Sequence, residues 1–366
     1  MDLSIQTLVQ ENPYWITGEQ ENSKIILSSR ARLARNLTAL PFVQRCKKSD
    51  QIRVVNKVEA AVRASGKMSP SMYIDMRETP KLDRQFLVER RLISPGLADS
   101  TSISGAFVAP DESASILVNE EDHLRIQALR GGLQLEAVWK EADQIDTELG
   151  HHLDFAFSDD LGYLTACPTN VGTGMRMSVL IHLPGLAVTD NIDRIIRGMT
   201  EIGFTVRGLY GEGTDAVGNL YQLSNQWTLG YTEPDVVANI DRVARQLVEY
   251  ENRACEVLLN DAPAQIEDRV WRAYGTLSNA RVLSEHETIE ALSSLRMGMR
   301  LGILNDIDSV PLNRLLIMTQ SAHVQKIAGK SLDVEEQDML RSDLVRRHLD
   351  ASVSSSPFRQ PTEGSA

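Results

Sequence analysis

The chain has 366 residues, enough for a sizeable core and more than one domain, and 42% hydrophobic with 24% charged residues excludes wholesale disorder. Its formal net charge of −12 argues against general nucleic-acid binding, which needs basic surface to release counterions. Cys46, Cys167 and Cys255 are widely spaced and odd in number, so they form neither a disulfide framework nor a CxxC metal pair.

Near the start, "MDLSIQTLVQENPYW" has acids and no basic leader, and no apolar run approaches the ~20 residues that span a bilayer. The expectation is a cytoplasmic protein without membrane or nucleic-acid partners. "KIILSS" (24–29), "SMYIDM" (71–76), "SASILVN" (113–119) and "HLRIQAL" (123–129) are short, bounded and partly alternating, which predicts strands. The last two flank Glu120, Glu121 and Asp122, so they read as a hairpin with three acids at its tip. In its second arm Leu124 and Ile126 face one way and Arg125 the other.

A helix follows over 133–149, with Leu135, Val138, Trp139, Ala142, Ile145 and Leu149 on its buried face. Another covers 191–203 and ends at Gly203. From Pro234 strand signals vanish, and helical patterns run over 234–259, 264–275, 284–303, 311–328 and 333–350. Asp333 and Glu336 match a capping box. Hairpins mixed with helices predict an α+β antiparallel-sheet domain over 1–260. An all-α domain over 261–350 and a small, polar, disordered tail over 351–366 complete the expected organisation.

The common phosphate and hydrolase motifs are missing. "VQKIAGKS" (324–331) ends like a Walker A loop, but Val324 stands where its first glycine belongs. GxGxxG, HExxH and GxSxG do not occur. His151 and His152 read as solvated, and His182 as a core histidine. What remains is a set of arginines beside unusual loops. "SSRARLARN" (28–36) puts Arg30 and Arg32 on one side of a strand end. "CPTNVGTGMR" (167–176) offers glycines that let backbone N–H groups approach an anion, then Arg176. "VRGLYGEGTDAVG" (206–218) gives Arg207 and a glycine-flanked Glu212, and Arg125 follows the acidic tip. Arginine forks match phosphate oxygens in pairs, and carboxylates can hold Mg²⁺ or clamp a cationic acceptor.

"SSRAR", "NEEDHLRI", "CPTNVGTGMR" and "RGLYGEGTDAVGNLYQLSN" resemble, in order and spacing, the ATP:guanido phosphotransferases. The family likeness covers about 24–255; the likeness to the bacterial branch that phosphorylates arginine in proteins runs nearly end to end, including "RRLISP" (90–95), "EDRVWRAYGTLSNAR" (267–281) and "LRMGMRLGIL" (295–304). The resemblance implies an antiparallel, glutamine-synthetase-like catalytic domain followed by an all-α domain, and transfer of the γ-phosphoryl group of MgATP to arginine side chains. It implies that Arg30, Arg32, Arg125, Arg176 and Arg207 bind the ATP phosphates. Ser28, Ser29 and Ala31, with the backbones of Met177, Ser178, Val179 and Leu180 and of Gly208, Leu209, Tyr210 and Gly211, shape the nucleotide pocket. Arg91 joins them where relatives usually have His.

Glu121 and Glu212 become the carboxylates on the acceptor guanidinium, with Cys167 beside it as a thiol of thiolate character. Glu120 and Asp122 support Mg²⁺ or the loop. A phosphoarginine-binding motif of that branch survives only as Asp338 and Arg341, with Gln337 in place of its first arginine. The implied partners are proteins with exposed arginines, an McsA-like activator, a CtsR-like repressor, Clp protease machinery and a second copy of the chain. A kinase of a free guanidino compound, and a non-catalytic nucleotide or phosphoarginine binder, are the competing readings.

Overall fold

The computed structural model describes residues 4–16, 23–209 and 216–354, the side chains of 350–354 excepted. Glu212, with Tyr210 and Gly211, lies outside the described residues, as does the expected tail beyond Ser354. Among the described residues the ten strands are β1 Ile26–Arg35, β2 Met72–Asp75, β3 Gly105–Val108, β4 Ala114–Val118, β5 Leu124–Gly131, β6 Phe157–Ser158, β7 Gly162–Tyr163, β8 Met175–His182, β9 Phe204–Gly208 and β10 Leu220–Asn225. The α-helices are α1 Ile5–Leu8, α2 Lys48–Ala64, α3 Lys81–Glu89, α4 Pro95–Ala98, α5 Leu135–Gly150, α6 Pro184–Val188, α7 Ile192–Glu201, α8 Glu233–Asp261, α9 Pro263–Asn279, α10 Glu285–Arg300, α11 Ser309–Met318, α12 Ser321–Ala328 and α13 Val334–Ser354. No described helix is long and apolar enough to cross a membrane.

Eight strands form one sheet in the order β2-β3-β4-β5-β1-β8-β10-β9, antiparallel throughout, and β6-β7 is a separate hairpin. Alternation along the strands assigns the two faces. Ala31, Leu33, Leu124, Ile126, Met177, Val179, Leu223 and Val206 point into a core completed by α2, α5, α7 and α8. The opposite face is apolar only at its margins. Leu27, Leu129, Leu180 and Leu220 meet Trp15 and Ile16, Ile289 of α10, and Leu316 and Ile317 of α11. Ile74, Ala106 and Leu117 meet Phe86 and Leu87 of α3. Between these margins the face is polar.

Two expectations change. β1 does not stop at Ser29 but continues through Arg35, because Ala31 and Leu33 keep the alternation going past the arginines. The single helix expected over 311–328 is two, broken between Met318 and Ser321. The Asp333–Glu336 capping box forms in both directions, at 3.2 and 2.9 Å. His182 is buried against the Ser293 hydroxyl at 2.8 Å, as a core histidine.

Candidate active site

Register builds the polar face. Arg32 of β1 lies directly opposite Arg176 of β8, and Arg30 opposite Ser178. Arg125 of β5 pairs with Ala34, and Arg207 of β9 with Gln222 of β10. Like charges directly opposite each other destabilise a sheet, so an Arg32–Arg176 pair points to a ligand of opposite charge. The guanidiniums are only partly satisfied by the protein. Arg30 donates to the Gln222 amide oxygen at 2.9 Å and Arg176 to the Ser224 hydroxyl at 3.3 Å. The Nε atoms of Arg30, Arg32 and Arg176 are buried with no acceptor.

Burial, with Arg32, Arg91, Arg125 and Arg176 nearby, pushes Arg30 well below its ordinary value. Burial, followed by Arg125 and Arg176, brings Arg32 down to about 9, against an opposing pull from Glu120. Arg176 shifts down through burial and then Arg207 and Arg125, with Glu121 and Cys167 pulling the other way. A guanidinium does not give up its proton in a protein. These shifts register burial first and mutual repulsion second, and a bound anion offsets both. Glu121 and Cys167 lie within electrostatic reach of Arg176, and Glu120 within reach of Arg32.

The acids sit on the β4–β5 turn, where Asn119 takes a positive φ of 56°. Arg125 spans two of them, meeting Glu120 at 2.7 Å and Glu121 at 2.8 Å. Glu121 is the more exposed, at 37% of its side chain against 11% for Glu120, which also accepts from the Ser94 hydroxyl. Asp122 turns inward. Its Oδ1 accepts from the Asn36 amide at 2.6 Å and the Ala166 N–H at 2.7 Å. Asp122 thereby ties its own loop to the end of β1 and to the segment before Cys167. Among the described residues no group of three or more His, Cys, Asp or Glu could hold a metal ion. His123 locks the turn from beneath, its Nδ1 accepting from the Leu37 N–H at 3.0 Å while Nε2 lies 2.9 Å from the Pro41 carbonyl. Burial lowers its pKa, consistent with a neutral ring that donates from Nε2.

Cys167 is half-buried, with its Sγ 3.0 Å from the Thr169 hydroxyl. The glycines after it allow close backbone approach. A Cβ on Gly172 would lie 2.3 Å from the Thr228 carbonyl oxygen, and one on Gly174 2.7 Å from that of Ala34. Arg91, at φ 66°, reaches the Ser28 hydroxyl at 2.8 Å. Ser28, Ser178 and Leu180 share the arginine face, Leu180 at its apolar margin, where Leu209 also packs.

Ser29, Ala31, Met177 and Val179 have side chains on the helix-covered face, and Ser29 joins Gly132 and Gln134 at the start of α5. They can shape the arginine face through their backbone alone. Asp338 and Arg341 are occupied internally: Arg341 is buried, pairs with Asp338 and donates to the carbonyls of Thr319 at 2.7 Å and Leu283 at 2.8 Å. The residues missed from sequence are Asn36, Ser94, His123, Gln222 and Ser224. Asn36 and His123, and Gln222 and Ser224, stand inside the quoted motifs, but only the pairing of distant strands shows what each one holds.

A sheet face of underpaired arginines, with the Glu120 and Glu121 carboxylates on Arg125 at one end, suits an anionic ligand such as a polyphosphate. The family model of the ATP:guanido phosphotransferase C-terminal catalytic domain matches residues 53–254, and that of the protein-arginine kinase McsB C-terminal domain matches 263–360. The chain belongs to the ATP:guanido phosphotransferase family, in its protein-arginine kinase branch. It is 43% identical over 348 residues to the protein-arginine kinase of Halothermothrix orenii, covering 95% of this chain and 99% of that one. For the protein-arginine kinase of Symbiobacterium thermophilum the identity is 45% over 340 residues, covering 92% and 96%.

Among solved structures, the duplicated taurocyamine kinase of Schistosoma mansoni with bound transition-state-analogue components superposes with a TM-score of 0.59 at 28% identity. That match covers 71% of this chain, which spans only 39% of the duplicated kinase. Lombricine kinase shares the fold, with a TM-score of 0.56 at 24% identity over 64% of this chain and 68% of that one.

Proposed function

We propose that the chain transfers the γ-phosphoryl group of MgATP to arginine side chains of proteins, with the catalytic work in 1–260 and the helices of 261–350 as a second, regulatory part. The observation that carries this reading is the trio of buried, acceptor-less Nε atoms on Arg30, Arg32 and Arg176, which a triphosphate would satisfy. Arg125 and Arg207 complete the grip, and Arg91 lies beside it through Ser28. Mg²⁺ enters as part of the substrate, sharing the phosphate charge; Glu120 is the carboxylate closest in influence to Arg32.

The acceptor is a poor nucleophile, since a guanidinium stays protonated and its lone pairs are delocalised. Glu121, at the open side of the cleft, pairs with one edge of it in place of Arg125 and aligns a terminal nitrogen with the γ-phosphorus. The nitrogen–phosphorus bond forms as the bond from γ-phosphorus to the bridging oxygen breaks. ADP leaves, and the nitrogen's proton passes to the carboxylate. The arginines spread the charge of the phosphoryl group in flight. Cys167 lies on the acceptor side, within electrostatic reach of Arg176.

The test is incubation with MgATP and a mixture of unfolded proteins, followed by phosphosite mass spectrometry without acid. Phosphoarginine is expected, and Glu121→Gln should reduce it at least a hundredfold. Phosphate confined to hydroxyl side chains would refute the reading. Faster transfer to free arginine than to protein would favour a free-guanidino kinase.

A further inference from the structure

The rim around Cys167 exposes more apolar surface than folding requires. Phe157 and Leu161 on the β6–β7 hairpin, and Leu229 after β10, are each between 46 and 57% exposed, and the Leu229 Cα lies close against Gly172. They are far apart in sequence but belong to one surface, because three backbone segments are laced together. The Tyr163 N–H donates to the Gly172 carbonyl at 2.8 Å, joining the hairpin to the Cys167 loop. From the other side the Thr228 hydroxyl donates to the carbonyls of Thr169 at 2.9 Å and Val171 at 2.7 Å, and its own carbonyl receives the Thr173 N–H at 3.0 Å. Trp227 and Tyr231 turn instead to a cavity lined by Phe204 of β9 and Val236 and Val243 of α8. Several large apolar side chains exposed on neighbouring, laced segments point to an interaction site.

We propose that this rim is a docking surface for extended, non-native polypeptide, receiving aromatic and aliphatic side chains on both sides of the arginine to be phosphorylated. The inference rests on the reading of the cleft as a protein-arginine site. The occupant follows from the layout. The apolar residues stand on two sides of the loop that carries Cys167, so a second copy seated on both would close the cleft. A strand-like segment threading past it would leave its arginine free to enter. An extended chain advances ~3.3–3.6 Å per residue, so positions about two to five away from the arginine reach the rim. Asp159 and Asp160, exposed at the hairpin turn, favour a segment carrying positive charge.

The experiment uses the full chain and two synthetic peptides with the same central arginine, one flanked by Leu and Phe, the other by Ser and Gly. Binding is read by fluorescence anisotropy without nucleotide, and phosphorylation by initial rates. The variant is Phe157→Ser/Leu161→Ser/Leu229→Ser, which spares Trp227 because its ring lies against Gly203. The wild type should bind and phosphorylate the apolar peptide about tenfold better through KM. The variant should lose that preference while keeping its KM for ATP and its rate on the polar peptide. Equal use of both peptides by the wild type, or an undiminished preference in the variant, overturns the docking surface while leaving the kinase reading intact. So does sedimentation showing the rim to be buried between copies. Preferential binding of the apolar peptide with no phosphorylation of either reverses that outcome: docking stands and the kinase reading falls.

Discussion

Asp122 is held at Oδ1 by the Asn36 amide and the Ala166 N–H, while its Oδ2 is buried without a partner. Burial raises its pKa, against the opposing pull of those two donors. A carboxyl raised above its unfolded value of ~3.9 favours the folded state when protonated, so its contribution falls as pH rises through that range. Asp122→Asn keeps an oxygen for both donors and removes the buried charge. It should leave stability at pH 7 within ~1 kcal/mol of the wild type, whereas Asp122→Ala should cost ~2 kcal/mol by stranding the donors. Urea unfolding between pH 4 and 7 should show the Asn variant gaining on the wild type as pH rises. Its magnesium requirement should be unchanged; a weakened one would assign Asp122 a metal role. The resemblance set Glu121 apart from its neighbours but gave Glu120 and Asp122 one shared role. Their division of labour comes from Arg125, Ser94 and Asn36, which reach them across the sheet and its loops.

At the scale of elements, the contact that sequence could not show joins α3 to α12. The Glu89 carboxylate accepts from the N–H groups of Ala322 at 2.9 Å and His323 at 3.0 Å, and meets His323 Nδ1 at 2.7 Å. Lys326 adds an ion pair to Asp83 at 2.7 Å. This clasp explains the break between α11 and α12, which no Gly or Pro announces: the new helix starts where a carboxylate 234 residues earlier caps it. Four strands, β1, β2, β4 and β5, were legible because alternation is local, whereas β3 and β6 to β10 were not foreseen.

The clasp ends two residues before Arg91, so Glu89→Ala should raise KM for ATP about fivefold with KM for the acceptor unchanged, in steady-state kinetics. That variant should have no such effect in an Arg91→Ala background; equal effects on both substrates would mean a general loss of structure. His323 is buried, which lowers its pKa despite Glu89. A histidine lowered in the fold contributes stability that is complete above its unfolded value of ~6.5 and lost as pH falls below it. Its removal in His323→Gln should flatten the stability profile below pH 6.5 by at most ~1.4 kcal/mol per unit, readable in chemical unfolding.

Across the whole molecule, one sheet is divided between folding and function. The helix-covered face is continuous core, and the other face is sealed only at its margins, so its centre carries charge that folding alone would reject. "SRARLA" showed in the sequence that two arginines share a side, but the register opposing Arg32 to Arg176 depends on strands more than a hundred residues apart. That opposition should be measurable as strain in the ligand-free protein. Replacing a poorly compensated buried charge by an apolar side chain of similar length is often stabilising, by ~1–4 kcal/mol. Arg32→Met should therefore raise the melting temperature of the ligand-free protein.

The same substitution should abolish the stabilisation that inorganic triphosphate gives the wild type, since a ligand stabilises only the state that binds it. A triphosphate at a hundred times its dissociation constant should add ~2.7 kcal/mol to the wild type and nothing resolvable to Arg32→Met. If Arg32→Met instead melted lower than the wild type without ligand, the arginines would be holding the sheet together. The unmet hydrogen bonds at Arg30, Arg32 and Arg176 would then have to be satisfied by water alone.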